Sequence, residues 1–390
     1  MKSLLVALIG SLLLPSGLAS DAVTVSDIVK RYDSVEAQTV GVEEWKRHTN
    51  DNGSVAWNTS YVLNSYVDMY EVTSNLKYLD KFVALADPIV AGTDEKRGLR
   101  DYKGRTRVGW GSVAYSSKKQ RVVWLAHTGM ITYPLARFAL LVHDTSALSN
   151  YFSKARSYGS VTEAALKEFD SQWRYDPASG EGFYTFEKDQ PDYESAAGAE
   201  IPVPFNMELA AGRSFIVAWR LTGNEAYRKK ASALATLFKN HLAKDSKGAY
   251  RWTYWFGRGL SRSKSPEDLS HGATDVGFAV LAEQNDIVFT QAELAPFVTL
   301  FFEQLEQVDI RSSAANTTSA TSAKEKVDRD SIAMWMALSE NSCSVYAALA
   351  PNLLARAGMQ DARVLLALAQ LAQYTSKTVQ DKPCRPLTSR

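Results

Sequence analysis

Four short segments, each carrying a polar residue, open amphipathic helical runs at similar intervals along the chain. Asn58, His127, Asn206 and His271 each lie in one of these openings. The steps between them are roughly 70, 80 and 65 residues, a loose period that is typical of repeat architectures. If each opening marks the same end of an equivalent helix, two asparagines and two histidines gather at one end of a ring. The pattern therefore constrains both the fold and the position of a site.

Most of the chain is patterned as pairs of helices. Apolar residues recur at helical spacing over 61–72, a Thr-Ser-Asn break follows, and the spacing resumes over 76–90. Further helical runs are predicted over 205–221, 225–242, 146–155, 290–307, 330–338, 345–357 and 361–374, and short strands over 121–125, 182–186 and 249–256. We expect a mostly all-α chain that forms a single (α/α)6–7 toroid of antiparallel helix hairpins, with a few short β-hairpins in its loops.

Residues 1–19 have the layout of a secretory signal peptide. Lys2 supplies a positive end, residues 3–14 are apolar, and Gly17-Leu18-Ala19 forms a small-x-small cleavage site. We therefore expect residues 20–390 to form one secreted, monomeric catalytic domain with no membrane segment. The formal net charge of +1 gives no electrostatic support for a nucleic-acid partner.

The chain has two cysteines, Cys343 and Cys384. In an oxidising compartment they would pair and tie the C-terminal tail to the last helical region. The alternative is that one or both remain free. Residues 312–324 are polar and low in complexity, which predicts a loop.

The sequence lacks the common metal, nucleotide and serine-nucleophile motifs, so we expect no metal and no cofactor. The candidates for chemistry are therefore the polar residues of the openings. His271 follows Glu267 and Asp268, either of which could orient its imidazole. His127 and Asn206 are further catalytic candidates, and Asn58 is a weaker one. For each of them, a helix cap or a packed polar residue is the competing interpretation.

Two loops, one before His127 and one before His271, combine basic and aromatic residues. Aromatic faces stack on sugar rings, and arginine binds carboxylates in a bidentate manner. The loops therefore favour an anionic, ring-containing ligand, with ordinary solvated loops as the alternative. The predicted substrate-binding residues are Asn58, Trp110, Trp124, Arg251, Trp252, Arg258 and Arg262.

Tyr254 lies between two of these arginines in sequence. Adjacent positive charge stabilises a phenolate, and such a tyrosine can remove a carbon-bound proton and return it to a leaving oxygen. Tyr61, Tyr133 and Tyr184 are alternative candidates for the same role.

The segments IPVPFNMELAAGRSF and EDLSHGATDVGF contain Asn206 and His271. Together with the helical architecture, they resemble secreted α/α-toroid polysaccharide lyases, in particular polysaccharide lyase family 38, which contains glucuronan and alginate lyases. The resemblance implies metal-independent β-elimination on an anionic polysaccharide. It also implies Tyr254 as base and acid, with Asn206, His271 and a nearby arginine at the substrate carboxylate, and His127 as a second partner.

Three other functions compete with the lyase. A glycoside hydrolase on the same toroid would need two carboxylates flanking the scissile bond. Candidates for these carboxylates are Asp68, Glu187, Glu208, Asp268 and Asp275. A uronate epimerase would share the proton abstraction, and a carbohydrate-binding toroid would need only the aromatic and basic loops.

Overall fold

The computed structural model describes residues 23–40, 49–193, 200–256, 266–307, 331–355 and 361–381. Several predictions fall outside these ranges and stay predictions: the signal peptide 1–19, the loop 312–324, and the residues Arg258, Arg262 and Cys384.

Helices dominate the described residues. In chain order they are α1 (Val25–Val40), α2 (Ser60–Thr73), α3 (Lys77–Ala91), α4 (Asp94–Arg97), α5 (Leu125–Asp144), α6 (Phe152–Lys167), α7 (Phe205–Thr222), α8 (Glu225–Asn240), α9 (Leu269–Glu283), α10 (Gln291–Gln307), α11 (Cys343–Ala355) and α12 (Ala362–Asp381). A π-helical turn, Val55–Thr59, leads into α2, and a 3-10 helix, Ala333–Glu340, lies between α10 and α11.

Six helical segments of the described chain form a closed inner ring. They are α2, α5, α7, α9, the 3-10 helix 333–340 and α12; each packs against the next, and α12 packs back on α2. The outer layer consists of α3, α6, α8, α10 and α11, which follow their inner partners, and α1, which packs on α12. The predicted α/α toroid is confirmed, with six helix pairs in the described ranges.

The inner helices begin at a common end of the ring. Trp57, just before α2, donates its indole N–H to His127 Nε2 in the first turn of α5, over 3.1 Å. The Trp57 ring also lies 6.2 Å from the ring of His271 in the first turn of α9. At the opposite end, Lys377 near the end of α12 pairs with Glu340 at 2.7 Å. We call the first end the N-terminal mouth and the second the C-terminal mouth.

Small residues allow the inner helices to approach closely. A Cβ atom at Gly129 in α5 would lie 2.4 Å from the backbone of Ala210 in α7, so only glycine fits there. By length and composition, α5 could also cross a membrane, against the expectation from the sequence. The buried share of its apolar stretch is 78%, which is what an inner helix of a ring requires.

Aromatic residues fill the space between the inner and outer layers. Phe138 of α5 stacks on Phe82 of α3 with ring centroids 4.5 Å apart, and it contacts Tyr158 of α6 at 5.4 Å. All three side chains are fully buried. Burial of one such side chain stabilises a fold by about 1.5–3 kcal/mol, so this layer fixes the position of each outer helix.

The strands form two short hairpins. β1 (Trp173–Asp176) pairs antiparallel with β2 (Glu181–Tyr184), and β3 (Ala243–Lys244) pairs with β4 (Tyr250–Arg251). β2 and β4 overlap the strands predicted over 182–186 and 249–256. The strand predicted over 121–125 is wrong, because Val122 makes only an isolated bridge to Ser112 and α5 already begins at Leu125.

Candidate functional site

His271 is held by an aspartate at the start of α9. Asp268 is the N-cap residue, and its Oδ1 accepts from the backbone N–H groups of Ser270 and His271 at 2.9 and 3.0 Å. Its Oδ2 lies 2.6 Å from His271 Nδ1. Within the described residues His271 Nε2 makes no hydrogen bond, and the side chain is 31% exposed. The ring is therefore oriented through one nitrogen and leaves the other available.

Aromatic side chains surround this imidazole. The Tyr254 ring lies 5.4 Å from the His271 ring, between centroids, and Trp57 lies on another side. Tyr254 is anchored through its backbone, because its carbonyl accepts from Phe205 N–H at the start of α7. The structure thus brings together the predicted Tyr254 and His271 at the N-terminal mouth.

Three carboxyl groups cluster around His271. Glu267 Oε1 accepts from the backbone N–H of Asp268 at 3.1 Å, and its side chain is 3% exposed. Asp275, one turn further along α9, is fully buried and accepts from Trp252 Nε1 at 3.0 Å. Glu267 and Asp275 share a side-chain hydrogen bond, which a proton on Glu267 supplies. Apart from that bond, one oxygen of each has no donor among the described residues.

The environment drives neighbouring acids to opposite protonation states. Burial raises the pKa of Glu267 well above its usual range, and the charges of Asp275 and Asp268 raise it further. Burial also raises the pKa of Asp275. For Asp268, burial alone would raise the pKa, but hydrogen bonds from His271 and Ser270 outweigh it and hold the pKa well below its usual range. Such divergent pairs are typical of acid–base sites.

His127 has a different environment at the same mouth. Its Nε2 accepts from Trp57, and its Nδ1 lies 3.0 Å from the Asn50 side-chain amide. The residue is buried, which lowers its pKa to about 3. His127 is therefore neutral at physiological pH, with Trp57 and Asn50 against its two ring nitrogens. It holds Trp57, which in turn lies against His271.

Asn206 lies in the first turn of α7 and is buried. Pro204 occupies the N-cap position, so helix capping does not explain Asn206. Its Oδ1 has no hydrogen-bond donor among the described residues, and the hydroxyls of Thr128 and Thr274 are also buried without a partner there. Unpaired buried polar atoms are costly, and they mark this mouth as a place where water or a ligand is needed.

The predicted substrate-binding tryptophans differ in their surroundings. Trp110 is buried and donates to the Ile89 carbonyl at 2.8 Å, as a packed core residue does. Trp124 is also buried, next to His127 in sequence, and its indole N–H has no partner in the described chain. Trp252 donates to Asp275. Asn58 is exposed in the π-helical turn and makes no cap for α2.

The described arginines near the mouth are paired with carboxylates. Arg251 in β4 contacts Asp245 at 2.7 Å and also Glu303. Three arginines of the loop before His127 are paired in the same way: Arg105 with Asp101, Arg107 with Glu168, and Arg121 with Asp94. Arg100 instead donates to the Gly104 carbonyl. The charges of the paired arginines are already balanced within the protein.

The other candidate carboxylates lie apart from the three in α9 and its opening. Asp68 pairs with Arg137 at 2.7 Å toward the C-terminal mouth. Glu187 pairs with Arg105 at 3.0 Å. Glu208 is fully buried and accepts from the Tyr184 backbone N–H at 2.8 Å.

Two of the alternative tyrosines, Tyr61 and Tyr184, are buried, and Tyr133 lies toward the C-terminal mouth. Burial raises the pKa of Tyr61 to about 12 and that of Tyr184 well above its usual range. Tyr133 lies between Arg213 and Arg137, whose guanidinium carbons are 4.8 and 5.8 Å from its ring centroid.

Some residues of this mouth were not predicted as site residues. Asn50 and Trp57 position His127, and Glu267 completes the carboxyl cluster. His271 and Asp275 are four residues apart on one face of α9, and Glu267 precedes the helix by the same spacing. That spacing was a usable signal, whereas Asn50 lies in a loop without periodic pattern.

Glu267, Asp268 and His271 are the group in the described chain that could hold a metal ion. Ligand atoms of Glu267, Asp268 and His271 all lie within 4.8 Å of one another. The 2.6 Å contact between His271 Nδ1 and Asp268 Oδ2 is a hydrogen bond, which an ion bound between these atoms would replace.

No protein-family model matches this chain, and no curated protein matches it. Solved structures do. An inactive variant of an α-1,6-mannanase from Salegentibacter sp. HEL1_6, in complex with α-1,6-mannotriose, is 12% identical with a TM-score of 0.53, over 90% of this chain and 99% of that one. A family 76 α-mannanase from Bacteroides thetaiotaomicron is 10% identical with a TM-score of 0.52, over 92% and 98%. At these identities the likeness shows the α/α-toroid fold. The resemblance to polysaccharide lyase family 38 stays a prediction.

Proposed function

We propose that the protein is a glycoside hydrolase that cleaves a glycan at the N-terminal mouth of its toroid. The observation that carries the proposal is the consecutive pair Glu267 and Asp268, whose pKa values are shifted in opposite directions beside a histidine with an available nitrogen. Glycosidic cleavage needs a protonated acid and a separate base in one site, and this mouth offers both.

The proposed steps assign one proton transfer to each side of the site. Glu267 donates its proton to the glycosidic oxygen as the bond from the anomeric carbon to that oxygen breaks. Water attacks the anomeric carbon, and His271 Nε2 takes the proton that this water loses. Asp268 keeps the imidazole oriented and stabilises its charged form, as a carboxylate does in other histidine-based sites.

Hydrolysis fits the charge balance of the described mouth better than elimination does. A polyuronate lyase needs cations to neutralise the substrate carboxylate. Of the three arginines predicted for that role, Arg251 lies within the described residues, and it already pairs with Asp245. A neutral glycan is therefore the favoured substrate. α-1,6-Mannan is the first substrate to test, because the toroids that this chain resembles include an α-1,6-mannanase.

The test is a comparison of products on two substrate classes. Purified protein is incubated with α-1,6-mannan and other neutral glycans, and with glucuronan and alginate, and both new reducing ends and ultraviolet absorbance of unsaturated sugars are measured. We expect reducing ends without that absorbance, on a neutral glycan. Unsaturated product from a polyuronate would overturn the hydrolase in favour of the lyase.

The lyase remains the second candidate because of two observations. Tyr254 lies beside His271, and the buried Asn206 amide oxygen lacks a donor among the described residues. In an elimination, His271 or Tyr254 would remove the proton next to the uronate carboxylate, and the leaving oxygen would be protonated as its bond to C4 breaks. A Tyr254→Phe variant separates the two candidates. It abolishes elimination if Tyr254 transfers the proton, and it leaves hydrolysis largely intact.

A further inference from the structure

A cavity of about 650 Å³ opens at the C-terminal mouth, away from the site described above. It is lined by residues from the later turns of the inner helices, including Asp68, Arg137, Arg213, Gly277 and Gln370. Its volume lies in the range of small-molecule sites, which run from about 300 to 1,000 Å³. Nothing in the proposed hydrolysis uses it.

Arg213 lies at the inner end of this cavity without a carboxylate partner in the described chain. Arg213 Nη2 donates to the Met130 sulfur at 2.8 Å, and the guanidinium lies over the Tyr133 ring. Its Nε–H is buried without an acceptor among the described residues. Arg137, on the other side of that ring, contacts Asp68 at 2.7 Å and Glu71 at 3.2 Å. Arg213 is the unbalanced cation of this pair.

A glycine in α9 keeps space open beside Arg213. A Cβ at Gly277 would have Arg213 Nη1 as its nearest neighbour, at 3.9 Å, which is ordinary contact. By contrast, a Cβ at Gly129 or Gly212 would meet neighbours at 2.4 and 2.6 Å, so packing requires those glycines. A helix-interior glycine costs about 0.5–1 kcal/mol relative to alanine. Packing does not explain that cost at Gly277, whereas an open cavity does.

Two acceptors elsewhere in the cavity lack donors. Asp68 Oδ2 and Gln370 Oε1 are buried without a hydrogen-bond partner in the described residues. The cavity therefore combines Arg213, a buried cation without a carboxylate in contact among the described residues, with acceptors that need hydroxyl donors. A polyhydroxylated carboxylate supplies both, since its carboxylate matches the arginine fork and its hydroxyls donate to the acceptors.

We propose that this cavity is a second ligand site that binds a sugar acid or similar hydroxylated carboxylate through Arg213. The site is separate from the proposed hydrolytic mouth, and its test does not depend on the reaction there.

The experiment measures binding of D-glucuronate by isothermal titration calorimetry, with D-glucose as the neutral probe. Arg213→Met removes the cation, and Gly277→Leu fills the space while leaving every charge in place. Arg228→Met is the matched control, because Arg228 lies on outer helix α8 against Trp219. We expect the two cavity variants to weaken glucuronate binding by about tenfold or more, which is the loss expected for a charge-assisted contact. The control and His271→Ala should bind like the unchanged protein.

Three results would overturn the proposal: no glucuronate binding to the unchanged protein, equal binding of glucose and glucuronate, or undiminished binding to Gly277→Leu. Loss of binding in His271→Ala with retention in Gly277→Leu would assign the ligand to the N-terminal mouth instead. Arg213→Met alone could fail to fold, and Gly277→Leu keeps the test decisive in that case.

Discussion

His127 and His271 occupy the same position in two repeats, and their environments differ. Each lies in the first turn of an inner helix and contacts Trp57. His127 is buried, with Trp57 and Asn50 against its two ring nitrogens, whereas His271 is partly exposed with Nε2 available. The first can only hold its neighbours, while the second can exchange a proton. The repeat thus sets where a histidine lies, and the residues around it set what it does.

The largest expected effect is on activity at His271. His271→Ala should lower kcat on the glycan substrate by about 100-fold to 10,000-fold, the usual contribution of a general base. The melting temperature should change little, since the ring is partly exposed. The control is His143→Ala, an exposed histidine near the end of α5. Full activity in His271→Ala would remove the proposed base.

Glu267→Gln tests the acid of the same site. We expect about a 100-fold loss of kcat, because glutamine cannot donate the proton. The pKa of Glu267 is raised, so its acid form persists to higher pH. Activity should fall as the pH rises through this raised pKa. The variant should lose this alkaline decline in its pH profile. Glu283→Gln, at the other end of α9, is the control.

His127 should matter for stability in acid. Its pKa is about 3 in the folded protein against 6.5 for a free histidine, so the unfolded chain binds the proton more tightly. The contribution of neutral His127 to stability is fully present above the pKa of the unfolded chain. It is lost as the pH falls toward the pKa of the folded protein. Between about pH 7 and about pH 4, we expect the free energy of unfolding to fall by about 3 kcal/mol more in the unchanged protein than in His127→Gln. Denaturant unfolding at several pH values measures this, and parallel slopes would contradict it.

The smallest effect is expected at Trp57, which contacts both histidines. Trp57→Phe keeps a ring beside His271 but removes the indole N–H from His127. We expect a loss of about 1 kcal/mol in the free energy of unfolding and less than about a threefold change in kcat. A large loss of activity would mean that His127 also contributes to the reaction. Trp173→Phe, on the β1–β2 hairpin, provides a control tryptophan.

The sequence predicted the ring better than the site. Helical spacing and the four openings identified α2, α5, α7 and α9, which are four of the six inner segments. The pairing of arginines was not predictable, since Arg107 meets Glu168 across 61 residues and no local pattern encodes that contact. The role of His127 depended on Asn50, a loop residue 77 positions away. Glu267 and Asp275 were within reach through their spacing of four residues on either side of His271.

The closing of the ring sets an order of events during synthesis. The hydroxyls of Tyr32 in α1 and Ser65 in α2 are hydrogen-bonded at 2.6 Å. The helix that packs against both α1 and α2 is α12, which begins only at Ala362. A growing chain leaving the ribosome can therefore assemble an arc but not a ring. Until α12 arrives, the apolar seam of α1 and α2 stays uncovered. Long-range closure of this kind is slow, so the interval before α12 packs is when this protein is most exposed to aggregation.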